Sequence, residues 1–363
     1  MDSIYLDYNA TAPIKTEVLS LVTKIMGEVG NSSSVHHFGQ RARKYIEDAR
    51  NQVAELCHAT PEQVIFTSGA TESNNTVLYG FKEKHVLVSA IEHPAVLDSA
   101  PHAEKIPVTC DGLIDIEAYK ALLNQSPPPA IVSIMYVNSE TGVIQPIQEL
   151  AKLAHEAGAL FHTDAVQAAG RIELDINALN VDYMSLSAHK MSGPQGVGAL
   201  IMKQGQHLPK FMQGGGQEKN CRAGTHNTAG IAGMGLAAQM AQENLDHYVK
   251  ITELRNYMEK QIRKISNEAI IYSENAPRVG NTCNVGLPNK PAQTQLMQLD
   301  LAGIAVSSGS ACSSGSFKPS HVLTAMCASE EEAKSALRIS IGWATTADEI
   351  DRFLEVWSKI ASK

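Results

Sequence analysis

Short apolar runs closed by polar turns recur along the first half of the chain. Val64-Ile65-Phe66-Thr67, His85-Val86-Leu87-Val88, Ala130 to Val137, Ala159 to Thr163 and Val181 to Leu186 each have strand length and a β-branched or apolar make-up. Helix-length stretches separate them, among them Thr71 to Lys84 and Ile147 to Ala157. This alternation predicts βαβ units, hence an α/β fold with a mostly parallel sheet covered by helices on both faces. Two helices follow from periodicity alone. Ala42, Tyr45, Ile46, Ala49, Val53 and Leu56 recur at three- and four-residue steps and paint one apolar face. Leu245, Tyr248, Val249, Met258, Ile262 and Ile265 do the same on a helix expected to begin near His226. A helix of that length often joins domains. The expected division is a large domain over 15–250 and a smaller α+β domain formed by 1–14 with 251–363. Ser126-Pro127-Pro128-Pro129 reads as a stiff loop before a strand.

With 363 residues and 44% hydrophobic side chains, the chain can bury a sizeable core. Its net charge of -8 gives no basic surplus for neutralising phosphates, which argues against direct nucleic-acid or anionic-membrane binding. No apolar run approaches the roughly 20 residues that cross a bilayer. Met1-Asp2-Ser3-Ile4-Tyr5-Leu6-Asp7-Tyr8 lacks the basic head and apolar stretch of a signal peptide. Cys57, Cys110, Cys221, Cys283, Cys312 and Cys327 are scattered, with neither the spacing of a metal site nor that of a disulfide framework. A reducing cytoplasm and mostly buried, inert thiols are expected. Cys312 differs: from Ser307 to Ser316 it is surrounded by six serines and two glycines, a composition with little to bury and expected to stay mobile.

Five further positions suggest chemistry. Lys190, in Ser187-Ala188-His189-Lys190 after an apolar strand, is either a solvated lysine or one whose lowered pKa allows a Schiff base. Thr67-Ser68-Gly69-Ala70-Thr71-Glu72 opens a helix and is either an ordinary cap or an anion cradle. Asp164 ends a strand, where it could cap the next helix or hold a pyridine nitrogen protonated. His93 is polar surface, or else stacks on a cofactor ring and moves protons. Arg338, inside the apolar Ala336-Leu337-Arg338-Ile339-Ser340, needs a partner: a structural carboxylate or a substrate carboxylate. Together they make a set, mostly at strand ends.

On these residues the chain resembles the group I cysteine desulfurases of the class V aminotransferase superfamily, pyridoxal-phosphate enzymes of fold type I. The resemblance runs from Tyr5-Leu6-Asp7-Tyr8-Asn9-Ala10-Thr11-Ala12-Pro13 to Arg338-Ile339-Ser340-Ile341-Gly342. It includes Glu92-His93, Val137-Asn138 with Glu140 to Val143, His162-Thr163-Asp164 with Gln167, Arg222-Ala223-Gly224-Thr225, and the Ser-Ser-Gly-Ser-Ala-Cys stretch that sets group I apart from aminotransferases.

The resemblance implies that Lys190 holds pyridoxal 5'-phosphate, Asp164 faces its pyridine nitrogen, and Gln167 bonds the ring hydroxyl with Asn138 nearby. Ala70, Thr71, Ser187, Ala188 and His189 would line the phosphate and Lys190 side, with Thr225 reaching in from a second subunit of a homodimer. His93 would stack on the ring, Arg338 with Asn138 would meet the substrate, and Cys312 would attack the sulfur of L-cysteine. The implied products are L-alanine and a persulfide, passed to a sulfur-acceptor protein in iron–sulfur assembly or tRNA thiolation. The alternatives are a selenocysteine lyase, a class V aminotransferase and a non-catalytic sulfur carrier. The chain departs from the family at Asn31-Ser32-Ser33-Ser34, Gln195 and Trp343, and it stops at Lys363, short of the extension that docks an iron–sulfur scaffold.

Overall fold

The computed structural model describes residues 3–309 and 319–362. Its strands are β1 (Ile4–Tyr5), β2 (Val64–Thr67), β3 (Val86–Ser89), β4 (Glu104–Ile106), β5 (Ile131–Ser133), β6 (Leu160–Asp164), β7 (Tyr183–Ser187), β8 (Gly198–Met202), β9 (Ile270–Ile271), β10 (Thr282–Gly286), β11 (Ile304–Ala305) and β12 (Ala336–Ser340). The central sheet has the order β2-β8-β7-β6-β5-β3-β4. β8 runs antiparallel to β2 and to β7, and every other neighbouring pair is parallel. All strands except β8 therefore point one way, and their carboxyl ends share one edge.

The strands of this sheet read as continuous apolar runs because both faces are covered. Successive residues nevertheless diverge, as the pleat requires. Phe66, Leu87, Val132 and Met184 enter one core, while Ile65, Val86, Ile131 and Tyr183 enter a second on the opposite face. A third core lies beside the smaller sheet, β12-β10-β9, and the β1-β11 pair. It gathers Leu6, Met258, Ile262, Cys283, Ile339, Phe353 and Trp357. Helix Ala347–Ala361 supplies the last two from one apolar stripe, and its first turn is closed by a capping box between Thr346 and Glu349. Phe353 and Trp357 are fully buried, each worth about 1.5–3 kcal/mol by transfer from water, or somewhat more for the larger indole.

The N-terminal stretch joins the two parts. Tyr8 N–H donates to Ser340 O, at 3.1 Å, and Ala12 N–H donates to His189 O, at 2.9 Å. Residues 7–12 thus run from β12 to the turn that follows β7.

Two expectations need correction. The helix anticipated from His226 to Ile265 is two helices, Thr228–Glu243 and Tyr248–Ile265, with a 3-10 turn Leu245–His247 between them. Asn244 makes the break: its backbone sits at φ -109°, ψ 14°, and its side chain donates to Met240 O at 2.6 Å. The apolar stripe assigned from Leu245 to Ile265 also fails at Val249, which is 63% exposed. The second correction concerns the thiols. Cys110 and Cys327 form a disulfide with Cα atoms 5.3 Å apart, and both residues are exposed. They lie 217 positions apart, on turns that only the tertiary fold brings together, so no local spacing could signal the pair. Cys57 and Cys283 are buried free thiols as expected, and burial pushes Cys57 up to about 12. Among the described residues no helix is long and apolar enough to cross a membrane.

Candidate active site

The shared carboxyl edge of the sheet gathers the candidates. β2 leads into helix Ala70–Tyr79, β3 into His93, β5 toward Asn138, β6 ends on Asp164, and β7 leads through Ser187 to Lys190. The segment 7–11 and β12, carrying Arg338, close over them.

Lys190 is largely buried and donates from Nζ to Ala10 O, at 2.8 Å, and to Asn9 O. Desolvation, then repulsion from Arg338 and Arg171, lowers its pKa to about 8, against opposing attraction from Asp7 and Asp164. Near pH 7 roughly a tenth of such a lysine is free amine, against well under a thousandth of an ordinary one. Its neighbour His189 bonds Thr11 Oγ1 through Nδ1, at 3.2 Å, and burial takes its pKa down to about 4.

Helix Ala70–Tyr79 starts at Gly69, whose φ of 155° excludes most side chains and whose position leaves the first amides without a side-chain cap. Glu72 does not fill that end. Its Oε2 accepts from Ser68 N–H at 2.8 Å, and its carboxylate is held by Arg222 at 2.9 and 3.1 Å. Thr71 is exposed at the mouth of this helix end. An open set of N–H groups at the positive end of a helix suits a phosphate.

Asp164 is buried, with Oδ1 accepting from Val166 N–H at 3.0 Å and Oδ2 from Asn74 Nδ2 at 2.7 Å. His93 accepts from Ala95 N–H at Nδ1, at 3.0 Å, which assigns the neutral ring's proton to Nε2. The residue reaches the surface, yet desolvation by the surrounding protein lowers its pKa, with Lys190 and His321 adding to the effect and Asp164 and Asp98 opposing it. Gln167 donates to Asn9 O at 3.0 Å and accepts from Arg171. Asn138 is fully buried and committed to its own turn: Oδ1 accepts from Glu140 N–H, Thr141 N–H and Thr141 Oγ1, and Nδ2 donates to Ile91 O. Arg338 donates from Nη2 to Asp7 Oδ1 at 2.7 Å and from Nη1 to Ser139 O at 3.3 Å, while its buried Nε has no hydrogen-bond partner among the described residues. The structural ion pair considered for Arg338 is therefore present.

Thr225 is exposed, three residues from the Arg222 that grips Glu72. Cys312 lies outside the described residues. Ser187 and Ala188 are buried between Asp164 and Lys190 in chain order, at the end of β7. Sequence reasoning missed Asn74, Asp7, Asn9, Arg171 and Glu140. Asn74 had a signal, since it lies one turn after Ala70 on the same helix face; Asp7 stood in the N-terminal motif, but nothing there pointed to a partner 331 positions away.

These groups fit pyridoxal phosphate by their chemistry. An amine with a depressed pKa, an open helix N-terminus and a buried, hydrogen-bonded carboxylate are three separate recognition elements, one for each end and one for the reactive centre of such a molecule.

Residues 4–353 match the model of the class-V aminotransferase family. The chain is 40% identical to the cysteine desulfurase IscS of Dictyoglomus turgidum, over 99% of this chain and 95% of that protein. It is also 40% identical to the cysteine desulfurase of Cereibacter sphaeroides, over 100% and 97%. Among solved structures, the NifS-like protein of Rickettsia africae superposes with a TM-score of 0.92 at 38% identity, covering 99% of this chain and all of that one. SspA in complex with cysteine superposes at 0.81 and 31% identity, over 93% and 99%. The chain belongs to the cysteine desulfurases of the class-V aminotransferase family. Within that family's fold, the desulfurase places its lysine, histidine and carboxylate on the edge where parallel strands end, as such sheets do with their ligands.

Proposed function

We propose that this desulfurase binds pyridoxal 5'-phosphate and L-cysteine at the β-strand edge and moves the sulfur to Cys312. The observation that carries the reading is Lys190, a largely buried amine with a pKa near 8 that feels the charge of the Asn74-held Asp164, at the same sheet edge as an uncapped helix N-terminus. In this reading Lys190 carries the cofactor, the Ala70–Thr71 amides with Ser187 and His189 take its phosphate, and Asp164 takes its ring nitrogen. The cofactor, when bound, supplies an electron sink for the substrate's α-carbon.

The chain's own residues do the rest. Lys190 gives up and accepts a proton at Nζ across the neutral range. His93 presents Nε2–H as a donor, and the ring can take up a further proton only at Nδ1, at the cost of the hydrogen bond from Ala95 N–H. The Arg338 fork, short of one partner at Nε, binds the substrate carboxylate beside Asp7. Cys312 takes the sulfur: the Cys312 S–S bond forms as the substrate C–S bond breaks, and L-cysteine plus the thiol give L-alanine plus the persulfide. Thr225 serves the neighbouring subunit of a homodimer, and the persulfide passes to a thiol acceptor in iron–sulfur assembly or tRNA thiolation. We place this in the cytoplasm, where acceptor thiols stay reduced; such a compartment would also open the exposed Cys110–Cys327 bond.

The test is Cys312→Ser on holoenzyme given L-cysteine. Expected is an unchanged cofactor content and a normal spectral response to cysteine, with no alanine or sulfide released. Turnover near wild type would remove Cys312 from the reaction.

A further inference from the structure

Glu140 plays no part in the chemistry above, yet it is 4% exposed and its carboxylate touches both roots of the segment that carries Cys312. On the entering side, Ser307 exchanges backbone hydrogen bonds with Arg338, at 2.7 and 3.1 Å, which lays the chain against β12. Two residues later Gly309 packs on the Glu140 carboxylate so closely that a Cβ there would overlap Oε2. On the leaving side, Ser320 Oγ donates to the same Oε2 at 2.6 Å and accepts from Leu323 N–H at 3.1 Å, capping the next helical turn. His321 then donates from Nε2 to Glu92 O at 2.9 Å, one residue from His93.

Glu140 is itself firmly held. Its N–H donates to Asn138 Oδ1 at 2.9 Å, and its carbonyl accepts from Asn284 of β10 at 3.3 Å. Burial raises its pKa, while the Ser320 hydroxyl, His321 and Arg338 favour the charged form. A buried carboxyl of this kind is costly unless it is bonded, so its hydrogen bond to Ser320 is hard to exchange for water.

We propose that Glu140 and Ser320 are positioning residues that clasp the two roots of the Cys312 segment together beside Arg338. The consequence rests on the reading of Cys312 as the sulfur acceptor. Cys312 follows Gly309 by three residues in the sequence, so the clasp holds the chain just before the proposed nucleophile. Holding both roots fixes the two points between which that stretch of chain is joined, and fixed attachment points favour an intramolecular encounter. A side chain at Gly309 would have to displace the Glu140 carboxylate, which occupies its place.

The experiment uses holoenzyme of Ser320→Ala, Ser320→Thr, Glu140→Ala and the Ser320→Ala, Glu140→Ala double variant. Cysteine binding is read from the spectral response of the bound cofactor, and persulfide on Cys312 from single-turnover mass analysis. The clasp predicts cysteine binding within about twofold of wild type for Ser320→Ala, and persulfide formation slowed about tenfold or more, the scale of a lost hydrogen bond to a charged group. Ser320→Thr, which keeps the hydroxyl, restores most of the rate, and the double variant loses little beyond either single change. Persulfide formation at the wild-type rate in Ser320→Ala overturns the clasp. So does a loss shared equally by cysteine binding, or one that Ser320→Thr fails to restore. If instead Cys312→Ser still turns over, the sulfur-acceptor reading fails on its own evidence, whatever the clasp variants do.

Discussion

Arg338 Nη2 lies 2.7 Å from Asp7 Oδ1, an ion pair that ties β12 to the N-terminal segment crossing toward Lys190. Both side chains are largely buried, so the pair is insulated from solvent screening, and removing either partner leaves a charge with few substitutes. The guanidinium still has Nε without a partner among the described residues and an Nη1 bond of 3.3 Å that a carboxylate could better. Asp7 thus holds the fork in place without using all of it.

Arg338→Ala should therefore raise the Michaelis constant for cysteine about 10- to 150-fold, while the protein retains its cofactor. Arg338→Lys should recover part of the stability lost with the Asp7 pair and little of the affinity, because an ammonium cannot present a planar fork. Steady-state kinetics with a parallel measurement of cofactor content decides it. An unaltered Michaelis constant in Arg338→Ala would leave the residue with its structural partner alone.

Lys190 makes a prediction about pH. Its pKa is lowered from 10.5 to about 8, so the amine becomes nucleophilic as pH rises through about 8 and gains little above that. The rate at which cofactor-free enzyme recaptures added pyridoxal phosphate should climb between roughly pH 7 and 8.5 and then level off. An ordinary lysine would keep climbing toward pH 10 or so. Lys190→Ala should lose the visible absorption of the holoenzyme altogether.

What the sequence revealed and what it concealed divide along chain separation. Strand–helix alternation and the His-Lys, Gly-Ala-Thr and Thr-Asp motifs are local, and the strands they follow were legible as short apolar runs, so those candidates fall on one sheet edge. β8 was not read as a strand: Gly198–Met202 follows Gly193-Pro194-Gln195-Gly196, which looks like a loop, and its reversed direction comes from pairing with both β7 and β2. Partners were hidden wherever they come from far along the chain. Asp7 for Arg338, Cys327 for Cys110, Ser320 for Glu140 and Asn9 for Lys190 are each set by tertiary packing, and no spacing rule connects them. The helix break at Asn244 was obscured for a different reason, since the apolar periodicity that placed the helix begins only at Leu245, after it.

Asn74 offers a test of how Asp164 is held. Asn74→Asp would set two carboxylates where one amide-to-carboxylate bond of 2.7 Å now stands, and one of the pair must then keep a proton. An acid whose folded pKa is raised makes the fold relatively more stable as pH falls. The cofactor-free variant should therefore melt below wild type at pH 8 and close much of that gap at pH 5, and its loss of activity at low pH should begin at a higher pH than in wild type. A melting-temperature gap independent of pH would mean that Asn74 packs beside Asp164 without setting its charge.

Thr225 decides whether the active sites are shared between subunits. It is exposed, and Arg222, three residues before it, is bound to Glu72 in the first turn of its own chain's Ala70–Tyr79 helix. That anchor is compatible with two assignments: Thr225 turned toward its own helix N-terminus, or projected from a fixed base toward a neighbour's. They differ measurably. A protein carrying both Thr225→Ala and Lys190→Ala is inactive by itself. Mixed with wild type and allowed to exchange subunits, it forms heterodimers with one intact Lys190. If the sites are shared, that Lys190 faces the alanine that replaced Thr225 on the mutant subunit, so activity per intact Lys190 falls as heterodimers form. If Thr225 serves its own subunit, the wild-type half keeps both residues and full activity. The shared site predicts the fall, by about the factor that Thr225→Ala alone produces in a homodimer, and constant activity per intact Lys190 across the mixing series would refute it.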